Sequence, residues 1–218
     1  MLELGVKTLL AYLLGSIIGS LLVGQLRGGV DIRTLGSGNA GGTNALRTQG
    51  FGFAFWVMVI DIGKGVLAAA WIPIAALPSV GVDASIDRTW LMVACATAAV
   101  LGHVYPVWHG FRGGKGAATL VGVLLGLQPI ALIPVLAAWL LVVMLTGFVG
   151  LATMLASLAY VLFLLGFERY ASDALVTFGV AMVVLVCYTH RANIERMRAG
   201  TESRAYRLWL LKPRSSSR

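Results

Sequence analysis

Long blocks of apolar residues constrain the fold of this chain more than any other feature of its sequence. A helix needs about 20 apolar residues to cross the hydrocarbon core of a bilayer. Several blocks approach that length, and only 12% of the 218 residues are charged, against about 25% in a typical soluble domain. The sequence therefore predicts an all-α, polytopic integral membrane helical bundle, and it excludes disordered proteins and most soluble domains.

Seven stretches are candidates for transmembrane helices. They are Thr8–Leu26, Phe51–Leu77, Thr89–Trp108, Ala117–Leu127, Pro129–Leu145, Leu151–Gly166 and Ala174–Thr189. The fourth is short and meets the fifth at Gln128 and Pro129, so these two could instead form one long kinked helix. We expect a single transmembrane domain over residues 1–211, followed by a disordered basic tail over residues 212–218.

The net charge of +8 is distributed unevenly along these stretches. With seven spans, most of the basic residues fall at one set of helix ends, which the positive-inside rule places in the cytoplasm. The amino terminus is then outside and the carboxyl terminus is cytoplasmic. Because topology accounts for the charge, no nucleic-acid partner is expected. Cys95 and Cys187 lie in apolar stretches and show neither a disulfide framework nor metal-ligand spacing, so no metal is expected.

Three polar, glycine-containing segments fall at the cytoplasmic ends of the predicted spans, so they could form one composite site. The first segment covers residues 36–47 and has four glycines, which let backbone N–H groups approach an anion. Its candidate phosphate-binding residues are Ser37, Gly38, Asn39, Thr43, Asn44 and Arg47. Hydroxyls and amides supply neutral donors, and Arg47 supplies a bidentate cation. The alternative is an ordinary flexible loop between helices.

The second segment runs from Gly102 to Thr119. Its run of Gly113, Gly114, Lys115 and Gly116 opens into a predicted helix, whose N-terminal amides and dipole favour an anion. The spacing is not that of a P-loop. The alternative is a basic anchor at the membrane surface.

The third segment begins with His190 and Asn193, three residues apart, which would share a face on a continuing helix. His190 could act as a general base or as a phosphate donor, although a lone histidine at a helix end is often a cap. Asp61 and Lys64 lie inside the second span, where an unpaired charge is expensive, so we expect them to pair. Such a pair can be structural or can mark a functional site.

The three segments, in this order, resemble the motifs of the bacterial membrane glycerol-3-phosphate acyltransferases that use acyl-phosphate, the PlsY family. The resemblance covers residues 36–47, His103 to Thr119, and His190 to Glu202. Members of that family usually carry serine in the short turn after the fifth span, where this chain has Gly150. Thr146 or Thr153 could replace the missing hydroxyl.

The resemblance implies an enzyme that transfers a fatty acyl group from acyl-phosphate to the sn-1 hydroxyl of glycerol-3-phosphate. The products would be lysophosphatidic acid and inorganic phosphate, in the first acylation of phospholipid synthesis. It implies no coenzyme A, no other cofactor and no metal. The expected partners are the two substrates and the lipids of the bacterial cytoplasmic (inner) membrane, with the active site facing the cytoplasm.

The same resemblance, together with the chemistry of the side chains, assigns candidate site residues. The candidate catalytic residues are His190, Asn193, Lys115 and Arg47. The candidate phosphate-binding residues are Ser37, Gly38, Asn39, Thr43, Asn44, Arg47, His103, Gly113, Gly114, Lys115 and Gly116. The proton acceptor is either His190 or the departing phosphate.

Two other functions are compatible with parts of this pattern. An organophosphate membrane transporter would also use glycine loops and intramembrane charge, but its site would lie near the midplane rather than at one face. A lipid phosphotransferase with a nucleotide-activated alcohol would need acidic metal ligands. The predicted cytoplasmic loops offer only Asp31, Glu195 and Glu202.

Overall fold

The computed structural model describes residues 1–211, with only the backbone at Glu168, and divides the chain into two compact units, Met1–Pro129 and Ile130–Arg218. Within the described residues the regular structure is helical and contains no β-strand. This confirms the prediction of an all-α bundle. The predicted disordered tail, residues 212–218, lies outside the described residues, and the prediction of a single domain stays a prediction.

The first unit contains six α-helices among its described residues. They are α1 (Leu2–Gly15), α2 (Gly19–Leu26), α3 (Gly42–Gln49), α4 (Phe51–Val66), α5 (Arg88–Val104) and α6 (Ala117–Leu127). Helix α4 continues through a π-helical segment, Leu67–Trp71, and a 3-10 turn, Ile72–Ile74. Helix α1 packs along α5, and α4 packs against α6, α3 and α2.

Glycines allow helices α1 and α5 to approach each other closely. A Cβ atom on Gly15 would overlap the backbone of Ala99, and one on Gly102 would overlap the backbone of Tyr12. Small residues at such contacts are typical of helices that pack in a membrane, because they let backbones come close. Helices α1 and α5 are therefore held together by direct backbone contact.

Ion pairs at the amino end of α1 connect it to α5, and a hydrogen bond connects it to the 3-10 turn that follows α4. The buried Glu3 carboxylate accepts hydrogen bonds from Lys7 Nζ and from Arg88 Nη1, each at 2.9 Å. Lys7 Nζ also donates to the carbonyl of Pro73 at 2.6 Å. Since Glu3 and Lys7 both have charged partners, this end of the unit can bury their two charges without an uncompensated cost.

The second unit contains four α-helices among its described residues. They are α7 (Leu132–Thr146), α8 (Val149–Gly166), α9 (Asp173–Thr189) and α10 (Arg191–Arg198). Helix α7 packs on α8, and α8 packs on α9. A two-residue turn separates α7 from α8, and Gly147 has a φ of +76° there, a conformation that favours glycine.

Four described helices are long and apolar enough to cross a membrane: Phe51–Ile74, Arg88–His109, Pro129–Thr146 and Val149–Gly166. The count rises to six if two bent pairs each form one span. These pairs are α1 with α2, bent by 48°, and α9 with α10, bent by 53°. Helix α6 is apolar but shorter. It ends at Leu127 and α7 begins at Leu132, so the fourth and fifth stretches are separate helices. The count of seven spans and the orientation stay predictions.

Candidate functional site

Asn44 shapes the first polar segment. Its buried side-chain amide, at the start of α3, donates to the carbonyls of Ile32, Leu35 and Asn39, each at 3.0 Å. Its Oδ1 accepts from the backbone N–H of Ser37 at 3.0 Å. Both the NH2 group and the oxygen of the amide are thus used to fold the loop. The prediction that Asn44 contacts phosphate directly stays a prediction.

Other residues of the first segment present polar groups at the surface. Thr43 and Arg47 are four residues apart on α3 and are both exposed, so they lie on one face of the helix. Ser37 and Gly38 are exposed in the loop that Asn44 holds. Two hydroxyls near the N-terminus of α3 and a guanidinium in its last turn are groups that can bind an anion.

Arg33 lies just before the first polar segment and connects this part of the chain to the second segment. Its Nη2 lies 2.7 Å from Asp31 Oδ2, and its Nη1 donates to the carbonyls of Arg112 at 3.0 Å and His109 at 3.3 Å. The Arg33 guanidinium holds the pKa of the Asp31 carboxyl below its usual range, because it hydrogen-bonds the charged form. Arg33 belongs to none of the three polar segments, and no motif signals its contact with carbonyls more than seventy residues away.

Backbone hydrogen bonds fix the glycines of the second segment. The N–H of Gly114 donates to the carbonyl of His103 at 3.0 Å, and the N–H of Gly113 donates to the carbonyl of Val104 at 3.2 Å. These N–H groups therefore already have acceptors, and the prediction that Gly113 and Gly114 bind phosphate stays a prediction. Gly116 has a φ of +87° and is the N-cap of α6.

Lys115 lies between the fixed glycines and the N-terminus of α6, where it is half-buried. Its ammonium and the first amides of α6 are the groups of this segment best suited to an anion, because the helix dipole adds to the full charge. The structure therefore leaves fewer candidate anion-binding groups in this segment than the run of glycine N–H groups that the sequence suggests.

His103 is buried behind this loop, on α5. A Cβ atom on Gly114 would overlap its Nε2, so the imidazole packs directly against the glycine backbone. On its other side, Nδ1 lies 2.9 Å from Lys64 Nζ. His103 thus supports the loop from within, and its predicted contact with phosphate stays a prediction.

Asp61 and Lys64 form the expected pair, with 2.9 Å between Lys64 Nζ and Asp61 Oδ1. Both side chains are buried. The pair also serves the break between α1 and α2: Lys64 Nζ donates to the carbonyl of Ile17 at 2.6 Å, and Asp61 Oδ1 accepts from the N–H of Gly19 at 3.1 Å. The charges therefore satisfy backbone groups that a bent helix leaves without helical partners.

His190 lies at the bend between α9 and α10, so it and Asn193 do not share one continuous helix. Its ring is buried, and Nδ1 lies 2.8 Å from the carbonyl of Val186. A carbonyl can only accept, so this contact assigns the proton of a neutral ring to Nδ1 and the lone pair to Nε2. The geometry suits a base or an acceptor at Nε2.

Glu202 orients Asn193. The buried Asn193 amide donates from Nδ2 to Glu202 Oε1 at 2.8 Å, and Arg196 Nε donates to the other carboxylate oxygen at 2.6 Å. The Glu202 side chain is only 4% exposed. Glu202 lies at the end of the third segment, and its separation of nine residues from Asn193 gives no sequence signal of their contact.

Gly150 lies against Asn193. A Cβ atom at this position would lie 2.9 Å from Asn193 Nδ2 and 3.0 Å from its Cβ and Cγ. The hydroxyls suggested as replacements for serine are engaged with helix backbone: Thr146 Oγ1 donates to Val142 and Thr153 Oγ1 donates to Val149, at 2.7 and 2.9 Å. Glycine at 150 therefore removes a hydroxyl and also makes room for the amide.

The first and second segments lie within the first unit, and the third lies within the second unit. A single site that unites all three stays a prediction. Over residues 1–211, no group of three or more His, Cys, Asp and Glu side chains could hold a metal ion.

Comparison with known proteins gives consistent results. Residues 6–200 match the family described as glycerol-3-phosphate acyltransferase. A glycerol-3-phosphate acyltransferase of Chlorobaculum tepidum is 37% identical over 222 residues, which cover 89% of this chain and 93% of that protein. One of Chlorobium chlorochromatii is 37% identical over 235 residues, which cover 94% of this chain and 97% of that protein.

Solved structures agree with these relatives. The crystal structure of PlsY (YgiH), an integral membrane glycerol 3-phosphate acyltransferase, in its glycerol 3-phosphate form matches with a TM-score of 0.79 and 34% identity, covering 92% of this chain and 94% of that one. Its lysophosphatidic acid form matches with a TM-score of 0.77. The chain is therefore an integral membrane protein that belongs to the glycerol-3-phosphate acyltransferase (PlsY) family.

Proposed function

We propose that this acyltransferase takes its fatty acyl group from acyl-phosphate and transfers it to the sn-1 hydroxyl of glycerol-3-phosphate, giving lysophosphatidic acid and inorganic phosphate. The observation that supports this best is the bend between α9 and α10. There, the buried His190 and Asn193 are oriented by the Val186 carbonyl and by Glu202. A related structure has a glycerol 3-phosphate form and a lysophosphatidic acid form, which correspond to the proposed acceptor and product.

The proposed reaction needs no covalent enzyme intermediate. The sn-1 oxygen attacks the acyl carbonyl carbon, the bond from that carbon to the phosphate oxygen breaks, and inorganic phosphate leaves with the bonding electrons. An acyl-phosphate is already activated, so neither coenzyme A nor a metal is required. Positioning the two substrates supplies much of the acceleration. The hydroxyl proton passes to Nε2 of His190 or to the departing phosphate.

In the first unit, cations and donors would neutralise phosphate charge. Arg47 is exposed on α3 beside Thr43, and Lys115 lies at the N-terminus of α6. Both substrates carry phosphate, so positive groups are needed to overcome their repulsion and to stabilise the oxyanion of the transition state. We assign Ser37, Thr43, Arg47 and Lys115 to this role. Asn44, with its amide bound to three carbonyls, would shape the loop that carries them.

In the second unit, His190 and Asn193 would orient glycerol-3-phosphate. An amide can bind a hydroxyl as donor and as acceptor. Glu202 fixes the rotamer of the Asn193 amide by accepting a hydrogen bond from its Nδ2. The side chains of His190 and Asn193 are both buried. Their hydrogen bonds are therefore stronger than they would be in water. We place the active site at the cytoplasmic face of the bacterial inner membrane, because the basic ends of the spans lie there under the positive-inside rule.

The test uses purified protein in detergent with labelled glycerol-3-phosphate and palmitoyl-phosphate, without added metal. The expected result is labelled lysophosphatidic acid together with released phosphate. A parallel reaction with palmitoyl-coenzyme A is expected to give no product. Product from the coenzyme A donor alone would contradict the acyl-phosphate proposal. An absence of lipid product from both donors would contradict it as well.

A matched pair of variants tests the site. Asn193→Ala removes the amide that Glu202 holds, whereas Arg198→Ala changes an exposed residue at the end of the same short helix, α10. We expect the first variant to lose about 100-fold or more of kcat/KM, as for a lost positioning group, and the second to stay within about twofold. Equal activity of the two variants would remove Asn193 from the site.

A further inference from the structure

Residues 203–211, which we name the C-terminal strap, are hydrogen-bonded to the end of α7 and to the turn between α7 and α8. The N–H of Ala205 donates to the carbonyl of Gly147 at 2.8 Å, and the N–H of Leu210 donates to the carbonyl of Met144 at 2.9 Å. The strap lies beyond residues 6–200, which match the family.

Arg204 is the main side-chain link between the strap and the turn. Its Nη1 donates to the carbonyl of Thr146 at 2.9 Å. Its guanidinium carbon lies 4.3 Å from the ring centroid of Phe148 and 4.1 Å from that of Trp209. The Trp209 indole N–H donates in turn to the carbonyl of Leu145 at 3.1 Å. A planar cation stacked on aromatic rings is a geometry that lysine does not reproduce.

The turn and the strap are each linked to Asn193 by a neighbouring residue. The turn enters α8, where Gly150 packs against the Asn193 amide. The strap follows directly after Glu202, which holds the same amide at 2.8 Å. A shift of the strap would therefore move the residue that accepts from Asn193, and a shift of the turn would move the surface on which Asn193 rests.

Glycine at 150 makes this outside support more important. It has no side chain to bond Asn193 or to stiffen the first turn of α8, and glycine weakens a helix relative to alanine. Four backbone carbonyls at the end of α7 and in the turn instead accept hydrogen bonds from the strap, namely those of Met144, Leu145, Thr146 and Gly147. The strap thus supplies, from outside the α7–α8 pair, the restraint that residue 150 does not.

We infer that Arg204 is a positioning residue: by fixing the C-terminal strap to the α7–α8 turn, it holds Asn193 in the orientation that binds glycerol-3-phosphate. This inference rests on the proposed function, in which Asn193 contacts that substrate. Arg204 acts through its neighbours and touches neither substrate.

Kinetics of three variants test the inference. In Arg204→Ala, we expect the KM for glycerol-3-phosphate to rise about tenfold, as for a misplaced binding group, while the KM for palmitoyl-phosphate stays within about twofold. Arg204→Lys should show the same rise, because the ammonium cannot stack on both rings. Arg207→Ala removes an equal charge from an exposed position of the strap and should leave both KM values unchanged.

Three outcomes would overturn the inference. If Arg204→Lys restores the wild-type KM, or if Arg207→Ala raises it equally, the strap attracts anions by charge alone. If both KM values rise together with a fall in melting temperature, Arg204 only stabilises the fold. Should Arg204→Ala not fold, Trp209→Leu takes its place, since it removes one ring and leaves the arginine.

Hydrogen exchange separates failure of this inference from failure of the proposed function, because it needs no turnover. Arg204→Ala should accelerate amide exchange at residues 146–150 and also at residues 190–196, relative to Arg207→Ala. Faster exchange of the strap alone, with residues 190–196 unchanged, would overturn the inference even in an active enzyme. An absence of acyl transfer by the wild type would instead contradict the proposed function.

Discussion

Gly150 leaves the space that the Asn193 amide occupies, since a Cβ atom at position 150 would lie 2.9 Å from Asn193 Nδ2. The Cβ of Asn193, which cannot swing away as the amide can, would be 3.0 Å from the new atom. Either the amide leaves its position beside Glu202 or the two helices move apart. Position 150 therefore couples helix packing to a candidate catalytic group.

We predict that Gly150→Ala and Gly150→Ser both lower kcat/KM for glycerol-3-phosphate, by about tenfold or more. The serine variant is informative because the PlsY resemblance leads one to expect serine here. Gly166→Ala is the matched control, since Gly166 ends the same helix and a Cβ there meets nothing within 4 Å. Higher activity of the serine variant would show that the missing hydroxyl matters more than the space.

Replacing Asp61 and Lys64 by apolar residues should lower the stability of the protein. Removing one member, as in Lys64→Met, leaves a buried charge and should cost about 3–5 kcal/mol of stability. Elsewhere, replacing both members of a buried pair by hydrophobic residues is often neutral. Here Asp61→Leu with Lys64→Met should remain destabilised by about 1–3 kcal/mol for each backbone group left without a partner, namely the carbonyl of Ile17 and the N–H of Gly19.

Thermal unfolding in detergent measures this difference. A double variant as stable as the wild type would mean that the bend between α1 and α2 does not depend on the pair.

Asn44→Asp should disrupt the first polar segment. The change replaces an NH2 group that donates to three carbonyls by an oxygen that cannot donate when ionised. We expect a loss of about 1–3 kcal/mol of stability and a large loss of activity. Gln49→Glu makes the same chemical change at the half-buried end of α3 and should have little effect. Similar melting temperatures for the two variants would contradict the role given to Asn44.

The link between Asp31 and Arg33 predicts a dependence of stability on pH. Because the pKa of Asp31 is lowered in the folded protein, its contribution is present above the pKa of an unfolded aspartate, about 3.9. That contribution is lost as pH falls through the lower, folded value. The carboxylate is partly exposed, so the amount should be below about 1 kcal/mol.

Below about pH 4, the melting temperature should therefore fall slightly more steeply in the wild type than in Asp31→Asn. Identical pH profiles would show that the pair contributes nothing to stability, whatever its geometry.

His190→Ala tests which group accepts the proton in the proposed reaction. If Nε2 of His190 is the base, turnover of the wild type should fall at acidic pH as the ring becomes protonated, and the variant should be slow and lack this limb of the profile. If the departing phosphate takes the proton, the variant should keep near-normal kcat. His190→Gln retains hydrogen bonding without basicity, so it separates orientation of the substrate from proton transfer.

The sequence predicts most of the helices, because a bilayer span requires a length of apolar residues that few other structures use. It also predicts the pairing of Asp61 with Lys64, since an unpaired charge inside such a span is expensive. It does not predict the break between α1 and α2, because residues 16–18 continue the apolar pattern. That break is made possible by partners from α4, which lie more than forty residues away.

In the candidate site, too, the sequence predicts some features and not others. Motifs identify Asn44, Gly114 and Asn193 as notable residues, but their contacts depend on backbone carbonyls and on a distant carboxylate. The bonds of Arg33 to the carbonyls of Arg112 and His109 span more than seventy residues. Hydrogen bonds to carbonyls do not depend on the identity of the accepting residue, so no residue pattern reports them.

The bonds of the Asn44 amide have a consequence for ligand binding. A loop already ordered before a ligand arrives loses little conformational entropy when the ligand binds, so more of the interaction energy appears as affinity. The cost of ordering residues 35–39 is met when the protein folds, and it does not recur in each catalytic cycle. The same rigidity fixes the spacing of the exposed donors, so an anion of another shape gains less from them than one that fits.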